Sequence, residues 1–206
     1  MKVHQKVFKI ISVLLQYPEL EWIKEISVME SEIEQLNNPS ALENVTYYKN
    51  DGERVKNSYA EGNVHPSLSV QKNITAFFDY LKATPFDQLC ENYVYTFDYH
   101  GVVTLHLTYN VFKDSRKRGE ALIELQRLYK TIDMEKTSSE LPDYLPLILE
   151  FLSIAKEEQS KQLLKLHEKS LQNLHDELVK AKSEYHFLIK AMNEVTIQQL
   201  QSEDVS

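Results

Sequence analysis

The sequence predicts an all-α protein, a single-domain helical bundle with a long C-terminal helical segment, and three observations carry that prediction. Glycine occurs four times in 206 residues, whereas hairpin turns draw repeatedly on glycine's freedom at positive φ. Apolar residues recur three and four apart along most of the chain, which is the spacing of one helix face. Neither proline nor glycine follows Pro146, so the last part of the chain lacks the two strongest helix breakers.

Hydrophobic residues at 42% and charged residues at 26% are the composition of a globular domain. A chain of this length buries enough surface to fold without disulfides or metals. The single cysteine, Cys90, permits no internal disulfide and no cysteine-based zinc cluster, and it suits a reducing compartment such as the cytoplasm. No apolar run reaches the roughly 20 residues that span a bilayer. In the opening MKVHQKVFKIISVLLQYPEL, Lys6 and Lys9 interrupt the apolar run and no small-residue cleavage site follows. That start reads as an amphipathic helix, not a signal peptide. A net charge of −8 argues against nucleic acid as a partner and permits attraction to a basic peptide.

Val7, Ile11, Leu14 and Leu15, with Val3 a turn earlier, predict a first helix through Gln16, ended by Tyr17-Pro18. Trp22, Ile26, Met29, Ile33 and Leu36 predict a second over residues 19–36. Residues 37–66, punctuated by Pro39, Gly52, Gly62 and Pro66, read as a polar, partly mobile connection with one short helix near 40–48. Val70, Ile74, Phe77, Phe78 and Leu81 then restore a helical stripe. Thr84 as N-cap, Pro85 in the first helical position and Asp87 predict a capped helix start. Phe86, Leu89, Cys90, Tyr93, Val94 and Phe97 continue it at helical spacing.

Residues 102–112 fit two states. Val103, Leu105, Leu107 and Tyr109 alternate as in a strand, while Val102, Leu105, Tyr109 and Phe112 share a helix face, and the balance tilts to helix. Asp114 or Ser115 caps the next helix, whose face is Ala121, Leu122, Leu125, Leu128 and Tyr129, and a polar loop follows at 131–140. The two prolines of LPDYLPLILEFLSIA fit one helix if Asp143 is its N-cap and Pro146 its third residue, where no N–H is required. Ile148, Phe151, Leu152 and Ala155 then face a core.

Leu164, His167, Leu171, Leu174, Leu178, Ala181, Tyr185, Leu188, Met192 and Val195 alternate three and four apart like a coiled-coil seam. One helix over residues 156–200 would be on the order of 65 Å long. A compact domain of this size has a radius of gyration of about 17 Å. Either the helix breaks near Lys182-Ser183 or its end projects, and the final QSEDVS frays. The organisation expected is therefore a core over residues 1–155 and a C-terminal segment over 156–206 that packs on it or projects from it.

Catalytic spacings are missing. There is no glycine-rich phosphate loop, His-Glu-x-x-His, Cys-x-x-Cys or Gly-x-Ser-x-Gly signature. His167 and His175 are eight apart, and His100 and His106 six apart, neither of which sets two ligands on adjacent turns. Cys90 sits in an apolar stripe and reads as an inert thiol. Glu140, Asp143 and Glu150 read as a cap, exposed acids or ion-pair partners. No catalytic residue, cofactor or metal is expected.

Three co-linear blocks are recognisable: YVYTFDY at 93–99, LTYNVFKDSRKRGEAL at 107–122 and SELPDYLPLILEFL at 139–152, with FKIISVLLQYP at 8–18 ahead of them. In this order they resemble the nitrate reductase molybdenum cofactor assembly chaperones, the nitrate reductase delta subunit family, within the wider group of helical maturation chaperones for molybdo-oxidoreductases. The resemblance covers most of residues 1–155. Two departures stand out: that family usually has glycine where Lys113 stands, and a less apolar segment at 100–103.

The resemblance implies an all-α bundle with 102–112 helical. It also implies a chaperone that binds the apo catalytic subunit of a respiratory nitrate reductase, including its N-terminal peptide. The subunit would stay competent for molybdenum cofactor insertion in the cytoplasm, before membrane assembly. A peptide helix in an apolar groove would serve that role. Groove candidates are Tyr93, Phe97, Tyr144, Leu145 and Leu149, against ordinary core packing for each. Asp98, Asp114, Arg116 and Arg118 are candidates for a polar rim, against capping and solvated roles. Asp143 would contact the peptide or cap its own helix, with the cap favoured. Gly119, early in a helix, would permit close helix approach. The rival readings are a coiled-coil adaptor or regulator that homodimerises through the C-terminal seam, and a helical-bundle enzyme carrying a metal or organic cofactor.

Overall fold

Apolar periodicity organises the chain in its computed structural model, which describes residues 2–35, 47–48, 54–55, 66–99, 103–132 and 140–201. The helices are α1 (Val3–Leu14), α2 (Leu20–Ile23), α3 (Ile26–Gln35), α4 (Pro66–Ala83), α5 (Phe86–Val94), α6 (Leu107–Phe112), α7 (Arg116–Lys130), α8 (Leu145–Ile154), α9 (Glu157–Lys180) and α10 (His186–Gln201). A π-helical turn, Tyr95–Tyr99, extends α5. The all-α expectation holds. The described residues also include a minimal antiparallel pair, β1 (Tyr47–Tyr48) and β2 (Arg54–Val55), with Tyr47 opposite Val55 and Tyr48 opposite Arg54. Of the short helix expected near 40–48, only Tyr47 and Tyr48 are described, and they are strand. The rest of that connection, Leu36, residues 100–102 and 133–139, and the tail from 202 lie outside the described residues.

Helix α1 buries Val7, Phe8, Ile10, Ile11 and Leu14 against α8. Each such side chain contributes roughly 1.5–3 kcal/mol when fully buried. Polar contacts set the register of that interface: Gln5 Nε2 donates to the Ala155 carbonyl at 3.3 Å, and Ser12 Oγ to the Pro146 carbonyl at 3.1 Å. Between them Lys9 Nζ lies 3.3 Å from Glu150 Oε1. The single helix expected over 19–36 is two, because a turn at Lys24-Glu25 separates α2 from α3. Trp22, Ile26 and Ile33 are nonetheless buried as their spacing predicts. In α4 the stripe Val70, Ile74, Phe77, Phe78 and Leu81 is buried between α3 and α10.

Helix α5 starts one residue later than expected. Pro85 is its N-cap, at φ −57° and ψ 147°, and no side chain caps it. Proline's fixed φ and missing N–H suit either position, so Thr84 is not needed.

Residues 103–106 correct the helical reading of 102–112. They are not helical: Val103 and Leu105 lie at bends, His106 forms a bridge, Val103, Leu105 and Leu107 are buried in alternation, and helix begins only with α6. The physical reason is a partner: His106 and Tyr144 form an antiparallel bridge. Leu107 N–H donates to the Asp143 carbonyl at 3.0 Å, and Leu145 N–H to the Leu105 carbonyl at 2.8 Å.

Of the two outcomes open to the long C-terminal segment, a break near Lys182-Ser183 or a projecting end, the structure has the break. Lys182 adopts φ 54°, its N–H donates to the Val179 carbonyl at 3.0 Å, and Ser183 N–H donates to the Leu178 carbonyl at 3.0 Å. This paired bonding closes a helix by a left-handed residue after the C-cap. Helix α10 then folds back on α9 and also packs on α4 and α1. The seam residues Leu164, His167, Leu171, Leu174, Leu178, Tyr185, Leu188, Met192 and Val195 are buried in the chain's own core, whereas Ala181, at the break, is exposed. In this structure the seam is therefore filled from within the chain and is not an open face for a second copy.

Candidate functional site

The bridge between residues 103–107 and 143–145 is tied by one carboxylate. Asp143 is fully buried. Thr108 Oγ1 donates to its Oδ2, and His106 Nδ1 lies 3.1 Å from its Oδ1. An ionised carboxylate only accepts, so His106 carries the proton on Nδ1. Arg118, from α7, completes the knot: its Nε donates to Thr108 Oγ1 at 3.3 Å, and its Nη2 lies 3.6 Å from Asp143 Oδ2. Burial alone would push the Asp143 carboxyl up. The hydrogen bonds from His106 and Thr108, with the Arg118 guanidinium alongside, outweigh burial and hold it below the usual carboxylate range.

An aromatic seam continues from this knot. The His106 ring is 5.6 Å from that of Tyr144, and the Tyr144 hydroxyl is 3.5 Å from that of Tyr93. Tyr93 O–H also reaches the Leu15 carbonyl at 3.2 Å, its ring meets Tyr17 edge-on at 5.4 Å, and burial pushes its phenol far up. Behind it, Tyr93, Phe97 and Tyr185 form a triangle with centroids 4.9–5.8 Å apart, joined by Phe77 at 5.0 Å from Tyr185. These spacings are those of favourable aromatic pairs.

The nitrate reductase delta subunit family matches residues 66–186, which run from α4 through this knot and seam to the start of α10. The chain belongs to the nitrate reductase delta subunit family. A probable nitrate reductase molybdenum cofactor assembly chaperone of Bacillus subtilis, NarJ, is 27% identical over 95% of this chain and 92% of its own length. The probable chaperone NarW of Escherichia coli is 32% identical over 53% of this chain and 48% of its own. A nitrate reductase-like protein of Mycobacterium tuberculosis, NarX, is 33% identical over 48% of this chain but only 15% of its own length. Membership makes the chain a chaperone and not an enzyme. No described helix is long and apolar enough to cross a membrane.

The structure brings together Asp143, Arg118, Tyr144, Tyr93 and Phe97 from the residues that the resemblance singled out. Leu145 and Leu149 are wholly buried core, and Asp98 is exposed on the π-turn. Asp114 is mostly exposed, 4.0 Å from Arg118 Nη1. Arg116 points to solvent and pairs with Glu120 at 3.4 Å. Asp143 does not cap α8. Tyr144 is the N-cap and no side chain caps it, because the carboxylate is engaged by His106, Thr108 and Arg118 instead. Gly119 shows no close approach among the described residues: a Cβ placed there meets none of their atoms within 4 Å.

The residue types alone did not point to His106 and Thr108, whose roles depend on the bridge. His167 did carry a signal, as the one ionisable residue in the apolar α9 stripe. It is 4% exposed, its Nε2 has no hydrogen-bond partner among the described residues, and burial lowers its pKa to about 4, offset in part by the Asp143 charge.

Proposed function

We propose that this chain binds the immature catalytic subunit of a respiratory nitrate reductase in the cytoplasm, including its N-terminal peptide, and keeps it competent for molybdenum cofactor insertion before membrane assembly. The observation that carries this reading is the near full-length likeness to a protein named as a cofactor assembly chaperone. The surface supports it: Tyr144, Arg118 and Asp98 reach solvent along the seam, backed by the buried Tyr93, Phe97, Asp143, Leu145 and Leu149. A chaperone needs tight binding to the open apo form and weak binding to the mature enzyme, since only that difference shifts the client's population.

The test is co-purification of the full chain with the cognate catalytic subunit expressed with and without cofactor biosynthesis. Retention of the apo form and release of the mature form is expected. Equal retention of both, or of neither, would sink the proposal. Calorimetry with the subunit's N-terminal peptide tests the finer claim, with saturable binding as the expected result.

A further inference from the structure

The corner between α9 and α10 brings together two histidines that no local spacing pairs. His175 lies in the second half of α9, and His186 opens α10. Lys182, at φ 54°, closes α9 between them and lets α10 fold back. Their rings come to rest 6.2 Å apart, with planes at 60°.

Each ring is held through Nδ1. His186 Nδ1–H donates to the Ser183 carbonyl at 2.9 Å, and His175 Nδ1 lies 3.4 Å from Asp176 Oδ1. Gln172 Nε2 donates to the same carboxylate oxygen at 2.9 Å and steadies it. Carbonyl and carboxylate oxygens only accept, so both protons sit on Nδ1 and both Nε2 atoms present a lone pair. Oxygen acceptors behind Nδ1 are the outer-shell arrangement that orients metal-binding imidazoles.

The atom that points to a ligand is His175 Nε2, which is buried and has no hydrogen-bond partner among the described residues. A buried polar atom left unpaired is costly, and a bound ion or water is a usual reason for one. The second imidazole favours an ion. Two imidazoles sharing one through Zn–N bonds of about 2.0–2.1 Å hold their centroids roughly 5–6.5 Å apart, and the observed separation falls in that range. Among the described residues no group of three or more His, Cys, Asp or Glu side chains could hold a metal. The protein therefore supplies two ligands here and water the rest, which makes the ion exchangeable, unlike a structural zinc with four protein ligands.

We propose that His175 and His186 bind one divalent transition-metal ion, of the zinc type, through their Nε2 atoms and so clamp α10 to α9. Imidazole suits Zn²⁺, Ni²⁺ and Cu²⁺. The clamp reaches further, because Ser183, whose carbonyl holds His186, also fastens the π-turn through its Oγ, 3.1 Å from Thr96 Oγ1. This site is independent of the chaperone reading.

The experiment titrates Zn²⁺ into the full chain, followed by calorimetry and by thermal melts. The wild type should bind one ion saturably and melt higher with it, since a ligand of the folded state stabilises that state. His175→Gln and His186→Gln should each weaken binding about tenfold or more and remove the rise in Tm. Both side chains are partly exposed, so without the ion both variants should melt like the wild type. Electron paramagnetic resonance of the wild type loaded with one Cu²⁺ per chain tests the site without any substitution, and two imidazole nitrogens are expected. No saturable Zn²⁺ binding by the wild type overturns the site and leaves water as the partner of His175 Nε2. Binding that is unchanged in both variants, or lost in only one, overturns the bridge, as does a copper spectrum with a single imidazole nitrogen.

Discussion

Replacing His167 by leucine should remove most of one specific weakness, a loss of stability as pH falls from 7 to 5. The imidazole is 4% exposed in α9, and burial pushes its pKa down to about 4. In the unfolded chain the value returns to about 6.5. Between these limits the unfolded state binds the extra proton, so stability is complete above pH 6.5 and falls as pH drops toward 4. The slope approaches 1.4 kcal/mol per pH unit, which amounts to about 2 kcal/mol between pH 7 and 5 and about 3 kcal/mol once both states are protonated. Urea unfolding followed through Trp22, the single tryptophan, measures this directly, since that ring is buried. Leucine fits the apolar stripe and removes a ring nitrogen with no partner among the described residues, so the variant should match or exceed the wild type at pH 7. Its stability should fall between pH 7 and 5 by about 2 kcal/mol less than that of the wild type. Equal falls in the two proteins would refute the reasoning.

Asp143→Asn should destabilise by about 2–4 kcal/mol in urea titrations, because Arg118 and His106 lose their anionic partner. The Asp143 carboxyl is held below its ordinary value, so its contribution is present above the unfolded pKa and is lost as pH falls through the lower folded one. The asparagine variant should therefore lose part of the wild type's unfolding below about pH 4. Lys182→Gly should raise thermal stability by about 1 kcal/mol, since φ 54° suits glycine; Lys113→Gly, at φ 49° and ψ −140°, should do the same. Gly119→Ala should gain about 0.5–1 kcal/mol from helix propensity, because the added methyl meets nothing within 4 Å among the described residues; a loss in the melting temperature would restore the close-approach reading.

Much of the fold was legible because helix faces repeat locally. The α4 stripe is buried at every position its spacing marks, while in α1 Val3 is exposed and Phe8 and Ile10 are buried outside the expected stripe. Helix length against domain size left a break near Lys182 or a projecting end, and the structure has the break. Cap positions were less legible. Pro85 and Tyr144 replaced Thr84 and Asp143 by one residue each, because proline tolerates several positions and a carboxylate has alternatives to its own helix. Of the candidate site residues, Leu145 and Leu149 lie fully in the core and Arg116 fully in solvent. A motif shows which residues belong together and says nothing of their depth.

What the sequence by itself determined is therefore the helical class, the residues facing the core and the lack of catalytic spacings, since each depends on neighbours within about two turns. Tertiary structure alone decided three matters. It kept 103–106 out of the helix, because residues 143–145 offered a partner for the backbone of Leu105, His106 and Leu107. It closed the C-terminal seam within one chain, because the turn at Lys182 let α10 fold back on α9. And it drew Asp143 away from its helix end: His106, Thr108 and Arg118 converge on that carboxylate from outside α8, and no local pattern records a choice between capping and a long-range partner.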